Sequence, residues 1–289
     1  ERIYEHDTTV RGNMRVRTTT SLLPSIYINR HVESYASTRP SIRSTESYTS
    51  TSSSSSSISA MGRREARAEK AKLNAINDRV SCKKKLTQSV VIYGGSSIHT
   101  SNCLLDLGAA HLICKEYSEA LSVFKRSIRI IRKVYGEQSL AIARALCCVG
   151  TVACKLEDHK EWALISLNEA LHIRNKQLGP YHVDTIDTLN NMAGCYVHMR
   201  NWKEAKQAYE EVMYLRACIF GKRHASVAVT AQMLANVHTK LREWNHAIEK
   251  YEFAIDTLTG PTMELKPDHP MVIKVKNEIQ AIQRLTKMT

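Results

Sequence analysis

Apolar residues along the C-terminal two thirds of the chain recur at helical spacing, in paired runs. In one pair, Leu189, Met192, Ala193 and Tyr196 share a face, the polar stretch "MRNWKE" follows, and Ala205, Ala208, Tyr209 and Val212 share another. Steps of three and four residues place each set on one side of an α-helix. The stretch between them is long enough only for a tight corner, so the pattern predicts a helical hairpin. Its apolar stripes are too wide for two helices to cover by themselves, and further hairpins must supply the rest.

The hairpin recurs four times. A small residue, where the two helices approach, occupies Gly108, Gly150, Ala193 and Ala235, in steps of 42, 43 and 42. Ala120, Ala163, Ala205 and Ala247 mark the second helices, followed one turn on by Phe124, Leu167, Tyr209 and Tyr251. Three units close on a glycine, in "VYGEQ", "QLGPYH" and "IFGKRH", as a left-handed helix C-cap favours. Markers sharing one period predict an all-α fold: a right-handed superhelical α-solenoid in which each hairpin buries its stripes on its neighbours. The expected units are 101–142, 143–185, 186–227 and 228–269 within a solenoid domain 98–289. Residues 270–285, "PMVIKVKNEIQAIQRL", carry one apolar stripe beside a charged face, which suits a capping helix.

The pattern Leu-x-x-Leu-Gly, then Ala-x-x-x-Phe about a turn beyond the corner, resembles the tetratricopeptide repeat (TPR). The longer period, with "NEALHIRNKQLGPYHVDTIDTLNNMAG" (168–194), resembles the repeats of kinesin light chains and related scaffold proteins. The resemblance covers 101–285. It implies a non-catalytic protein–protein interaction scaffold, with Asn and basic residues of the concave face holding a short acidic peptide. A kinesin-light-chain-like cargo adaptor is an alternative implied by the same resemblance. Against it, nothing in residues 1–100 sustains three heptads of the kind that would join a heavy chain.

Residues 1–60 are rich in Ser, Thr and Arg and include "TSTSSSSSSIS", with no periodicity to build a core, so this leader is expected to be disordered. From Met14 the leader carries many Arg and hydroxyl residues and few acids. A transit peptide would have that composition, placing the protein in a mitochondrion or plastid rather than the cytoplasm. Residues 61–97 read as a basic linker with a short charged helix in "GRREARAEKAKLNAINDRV", followed by "YGGSSIH" (93–99) as a flexible lead into the repeats.

The net charge of +13 makes a nucleic-acid-associated protein the alternative from a different class. Aromatic platforms for bases are scarce, with 3 Phe and 3 Trp. Trp162, Trp202 and Trp244 all fall near hairpin corners, where packing accounts for them. The eight cysteines show no CxxC pair and no zinc-finger spacing, so they read as reduced thiols serving as small hydrophobes. No HExxH, Gly-x-Ser-x-Gly or phosphate-loop pattern occurs, so neither enzyme activity, cofactor nor metal is predicted. His182, His224 and His269 follow second helices and read as caps of their own corners.

First helices line the concave side of stacked hairpins. Counting from the small-residue marker, the groove-facing positions are Leu105 and Ala109, Cys147 and Thr151, Asn190 and Gly194, then Gln232 and Asn236. One turn later stand Ile113, Lys155, His198 and Lys240. The predicted peptide-binding groove is therefore Lys155, Asn190, His198, Gln232, Asn236 and Lys240. Its side-chain amides can pair with a peptide backbone, and its lysines attract carboxylates.

Overall fold

A computed structural model describes residues 55–260 and 265–287, with side chains from Leu73 onward. Every regular element among them is helical. The helices are α1 (Ser55–Tyr93), α2 (Ile98–Ile113), α3 (Tyr117–Tyr135), α4 (Leu140–Ala153), α5 (Lys160–Leu178), α6 (Val183–His198), α7 (Trp202–Phe220), α8 (Ala225–Lys240), α9 (Trp244–Thr259) and α10 (Pro270–Lys287). Each helix from α1 to α10 packs on the next, giving four hairpins in an α-solenoid and a closing helix. The predicted fold class is borne out. Residues 1–54, which hold most of the leader and the whole of its Arg-rich segment, lie outside the described residues.

Small residues set the close approach within each hairpin. A Cβ at Gly108 would fall 2.4 Å from the Phe124 ring, and one at Gly150 would fall 2.5 Å from Leu167 Cγ. Ala120, Ala163, Ala205 and Ala247, on the facing helices, are fully buried. Gly136, Gly179 and Gly221 end α3, α5 and α7 at φ of 76°, 83° and 88°, a left-handed conformation that glycine adopts without penalty. Three residues on, the next first helix is capped: by Ser139 for α4, and by the ring nitrogens of His182 for α6 and His224 for α8. His269 Nδ1 likewise accepts from Met271 N–H, so the histidines serve their own corners, as expected.

The segment before the repeats differs from its reading as a linker with a short helix. No Gly or Pro interrupts residues 63–93, and α1 is continuous for 39 residues. The "YGGSSIH" stretch is an ordered turn: Gly94 has φ 83°, Ser97 caps α2, and Thr100 Oγ1 donates to Gly94 O at 2.7 Å. Gly94 precedes Gly136 by 42 residues and Ser97 precedes Ser139 by 42, which gives α1 the register of a second helix. Side chains confirm that register. Arg79 of α1 pairs with Glu116, which His111 also contacts; Lys206 of α7 pairs with Glu243, which His238 also contacts. Corresponding residues in the two triads are all 127 positions apart, three repeats. Asp78 and Cys82 hold the register of Ala120 and Phe124.

Candidate functional site

The concave face is built by α2, α4, α6 and α8, and the structure divides the expected groove residues into covered and open groups. Leu105, Ala109 and Cys147 are buried in the core rather than lining an open surface. Asn190 is also buried, at 5% exposure, and its Oδ1 has no hydrogen-bond partner. The cause is local: α4 packs directly on α6, and this close approach covers the facing positions of both helices. Thr151 turns its hydroxyl back onto Cys147 O at 2.8 Å.

Lys155, His198, Asn236 and Lys240 are exposed, and Gln232 is half-buried. Lys155 Nζ meets His198 Nε2 across the first helices of the second and third units. Partial desolvation of its ring holds the His198 imidazole below its ordinary pKa, with further depression from Lys155 and Lys160. The ring is therefore neutral at neutral pH and accepts from the ammonium of Lys155. Neither Lys155 nor Lys240 has an acidic partner among the described residues, whereas Lys160 is paired with Glu157.

Together α6, α7 and α8 line a cavity of about 140 Å³. Its lining includes the apolar Trp202, Met233 and Val237, the buried Tyr209, and the exposed Asn236 and Lys240. Asn236 Oδ1 accepts from Tyr251 Oη–H at 2.6 Å, which fixes the amide and leaves its N–H groups as donors. Gly194 holds the register of Asn236 one unit earlier, and a Cβ there would lie 3.8 Å from Tyr209 Oη. Gly194 therefore offers that hydroxyl no amide, and burial pushes its pKa up to about 12. The sequence pattern places Asn236 and Lys240 on the groove without indicating the cavity beside them.

The tryptophans pack at corners, as read from their spacing: Trp162 against the core with Lys125 Nζ 4.5 Å from its ring, Trp202 and Trp244 in the clusters of the third and fourth units. Among the described residues no group of three or more His, Cys, Asp or Glu could hold a metal ion, and no helix is long and apolar enough to cross a membrane.

The Tetratricopeptide repeat family profile matches residues 99–176, 142–216 and 184–259. Among curated proteins, the chain is 27% identical over 124 residues to Protein KINESIN LIGHT CHAIN-RELATED 3 of Arabidopsis thaliana, covering 43% of this chain and 19% of that protein. It is 30% identical over 107 residues to Protein KINESIN LIGHT CHAIN-RELATED 2 of the same organism, covering 37% and 16%. The chain thus spans less than a fifth of the length of the curated relatives it matches. Among solved structures, BtubC (BKLC) from P. vanneervenii superposes with a TM-score of 0.58 over 74% of this chain and 84% of that one, at 14% identity, a likeness of fold.

Proposed function

The chain belongs to the tetratricopeptide repeat family, with the longer repeats of kinesin-light-chain type, and from that premise we propose that it is a non-catalytic scaffold whose concave groove holds an extended acidic peptide segment of a protein partner. The observation that carries the reading is the set of donors just past the end of α4 and along α8. Among the described residues Lys155 and Lys240 lack acidic partners, Asn236 is held with its N–H groups as donors, and Gln232 lies one turn before it. An acidic segment would supply the missing carboxylates, and its backbone would pair with the amides. His198 accompanies Lys155 as a neutral neighbour. Asn190, buried and with an unpartnered Oδ1, would reach the ligand only from beneath the groove floor. We place this activity in the cytoplasm and invoke no cofactor.

The test is binding of the purified chain to an immobilised peptide library graded in acidic content, at low and physiological salt. Acidic sequences are expected to dominate, and affinity to fall as salt screens the lysines. Lys155→Ala and Lys240→Ala are each expected to weaken binding by about 0–1 kcal/mol, the range of exposed pairs. No preference for acidic over neutral peptides, or a double lysine variant that binds unchanged, would remove the reading.

The names of the curated relatives favour a second reading, attachment of cargo to a kinesin. Co-sedimentation with a kinesin heavy-chain tail, present or absent, decides it.

A further inference from the structure

We propose that the C-terminal tips of α1 and α3 form a docking surface for a lipid bilayer rich in anionic phospholipid. This inference is independent of what the groove binds, because the two surfaces share no residue.

Register brings the two tips to one edge of the array. Tyr93 and Tyr135 each immediately precede a capping glycine, Gly94 and Gly136, at equivalent points of two second helices. Both helices pack on α2 and overrun its start. Ser127 of α3 meets Ser101 of α2 at 2.8 Å; from that level α3 continues eight residues, whereas α2 begins only three residues away. The overhang of five residues is about 7 Å. Ser89 of α1 meets Thr100 at 3.2 Å, and the same count gives α1 an overhang of two residues, about 3 Å. What projects is apolar. Val91 and Ile92 are 81% and 68% exposed, and Tyr93, Val134 and Tyr135 are about half exposed. Single exposed apolar residues are ordinary on a protein surface, but five on two neighbouring tips make a patch.

Cations stand behind that patch. Lys133 lies just before the α3 tip, and Arg129 and Arg126 follow one and two turns back, all exposed. Arg126 bends toward the end of α1, its Nη2 4.0 Å from where a Cβ on Gly95 would sit. None of the three has an acidic partner among the described residues, whereas Glu137, beside the α3 tip, is paired with Arg132 at 3.4 Å. An apolar tip with cations set one to two turns behind it matches the layering of an anionic bilayer, whose acyl boundary lies beneath its phosphates. Aliphatic side chains gain by leaving water, tyrosine suits the interface, and the cations gain from the negative surface potential.

The later half of the array lacks this order. Ile219 and Phe220 at the tip of α7 repeat Val134 and Tyr135, 85 positions on, but Lys125, Arg126 and Arg129 are replaced there by Glu210, Glu211 and Tyr214. An anionic surface repels that tip and attracts the tip of α3. Nor does the patch suit a nucleic acid. Tyr93 already stacks on His99 at 4.3 Å, and Val91, Ile92 and Val134 have no ring to offer a base.

The test is co-sedimentation of the full chain with vesicles of phosphatidylcholine alone and of phosphatidylcholine mixed with phosphatidylserine. Binding is expected to the mixed vesicles only, and to weaken as salt is raised. Arg126→Gln, Arg129→Gln and Lys133→Gln are each expected to weaken it about fivefold, and Ile92→Ser about tenfold. Ile92→Trp adds a reporter whose emission should shift to the blue and be quenched by brominated phospholipid, as adsorption by charge alone would not produce. The comparison of vesicles needs no variant to fold. Equal binding to both vesicle types, or to neither, would overturn the proposal. Binding that survives both the three neutralisations and Ile92→Ser would belong to the Arg-rich leader and would overturn it too. Retention on heparin or polyglutamate without binding to the mixed vesicles would assign the cations to an acidic macromolecule instead.

Discussion

In the first two hairpins one apolar cluster runs from Leu105 on α2 through Phe124, Leu146 and Leu167 to Cys195 on α6, whereas the last two hairpins hold several smaller clusters. The difference can be followed at a single register, five residues before the capping glycine. Unit one has Ile131 there, fully buried, facing a next helix with Ala145 at the corresponding position. Unit two has Arg174, whose Nη1 donates at 2.7 Å to both Asp184 O and Thr188 Oγ1. Unit three has Arg216, donating at 2.7 Å to Thr230 Oγ1 and at 3.0 Å to Asp187 Oδ1. Unit four, whose glycine comes early at Gly260, has apolar Leu258 one period of 42 residues after Arg216. Hairpins of one repeat type are thus joined either by hydrocarbon or by a guanidinium held in hydroxyl and carbonyl oxygens. The polar joint demands a complete set of partners, because a buried charge left unpaired is costly while a buried methyl is not. Asp187 shows the strain of that demand: burial raises its carboxyl against the pull of Arg216, and its Oδ2 has no hydrogen bond.

The change expected to have the largest effect is Arg216→Ala, which strands Asp187 and Thr230. A loss of about 3–5 kcal/mol in urea unfolding is expected for breaking a buried pair from one side. Replacing the set together, with Arg216→Leu, Asp187→Leu and Thr230→Val, imitates the joint at Leu258 and should be close to neutral or stabilising. If the single and triple variants lose equal stability, the polar joint is no different from the apolar one.

Next comes the close approach inside the hairpins, where the early units use Gly108 and Gly150 and the later units Ala193 and Ala235. Gly108→Ala drives a methyl into the Phe124 ring, an overpacking penalty of about 1–3 kcal/mol, partly offset by a helix-propensity gain of about 1 kcal/mol. Ala235→Gly should lose about 1 kcal/mol from propensity alone. Thermal melts of the two variants compare the halves directly, and a stabilised Gly108→Ala would show that Phe124 has room to move.

The smallest contrast is between the two tyrosines. Tyr251→Phe removes a hydrogen bond to Asn236 and is expected to lose about 1 kcal/mol. Tyr209→Phe removes a hydroxyl with Gly194 beside it and should change unfolding by far less. Equal losses would mean that Tyr209 has gained a partner in solution.

Much of this was open to reading because repetition turns a weak local signal into a strong one. The alanines at 120, 163, 205 and 247 each specify little, but their common period identifies a hairpin and its stacking. The same logic would have reached α1 through Gly94 and Ser97, had Asp78 and Cys82 not replaced the alanine and the large residue that mark a second helix. The spacing of Arg174 to Thr188 and of Arg216 to Thr230, 14 residues in both cases, also stood in the sequence. Its meaning did not, since only packing shows that both side chains turn inward. Asn190 illustrates the same limit. Helical register put it on the concave side, but how tightly α4 closes over α6 depends on side chains from both helices.

One corner carries a consequence for the array as a whole. The other hairpins turn through Lys115, Arg200 and Arg242 with φ near +60°, whereas the second contains one more residue and turns through a short 3₁₀ segment, Glu157–His159. The additional residue accounts for the step of 43 between Gly150 and Ala193, yet every marker after it keeps phase with its helix. Length added at this point is absorbed as arc, without rotating either flanking cylinder, in the way a buckle takes up slack without moving the holes of the strap. For an experimenter, the stretch between Leu156 and Lys160 is therefore the seam at which an epitope or a fluorophore tether can be spliced in while the ruler on either side keeps its graduations.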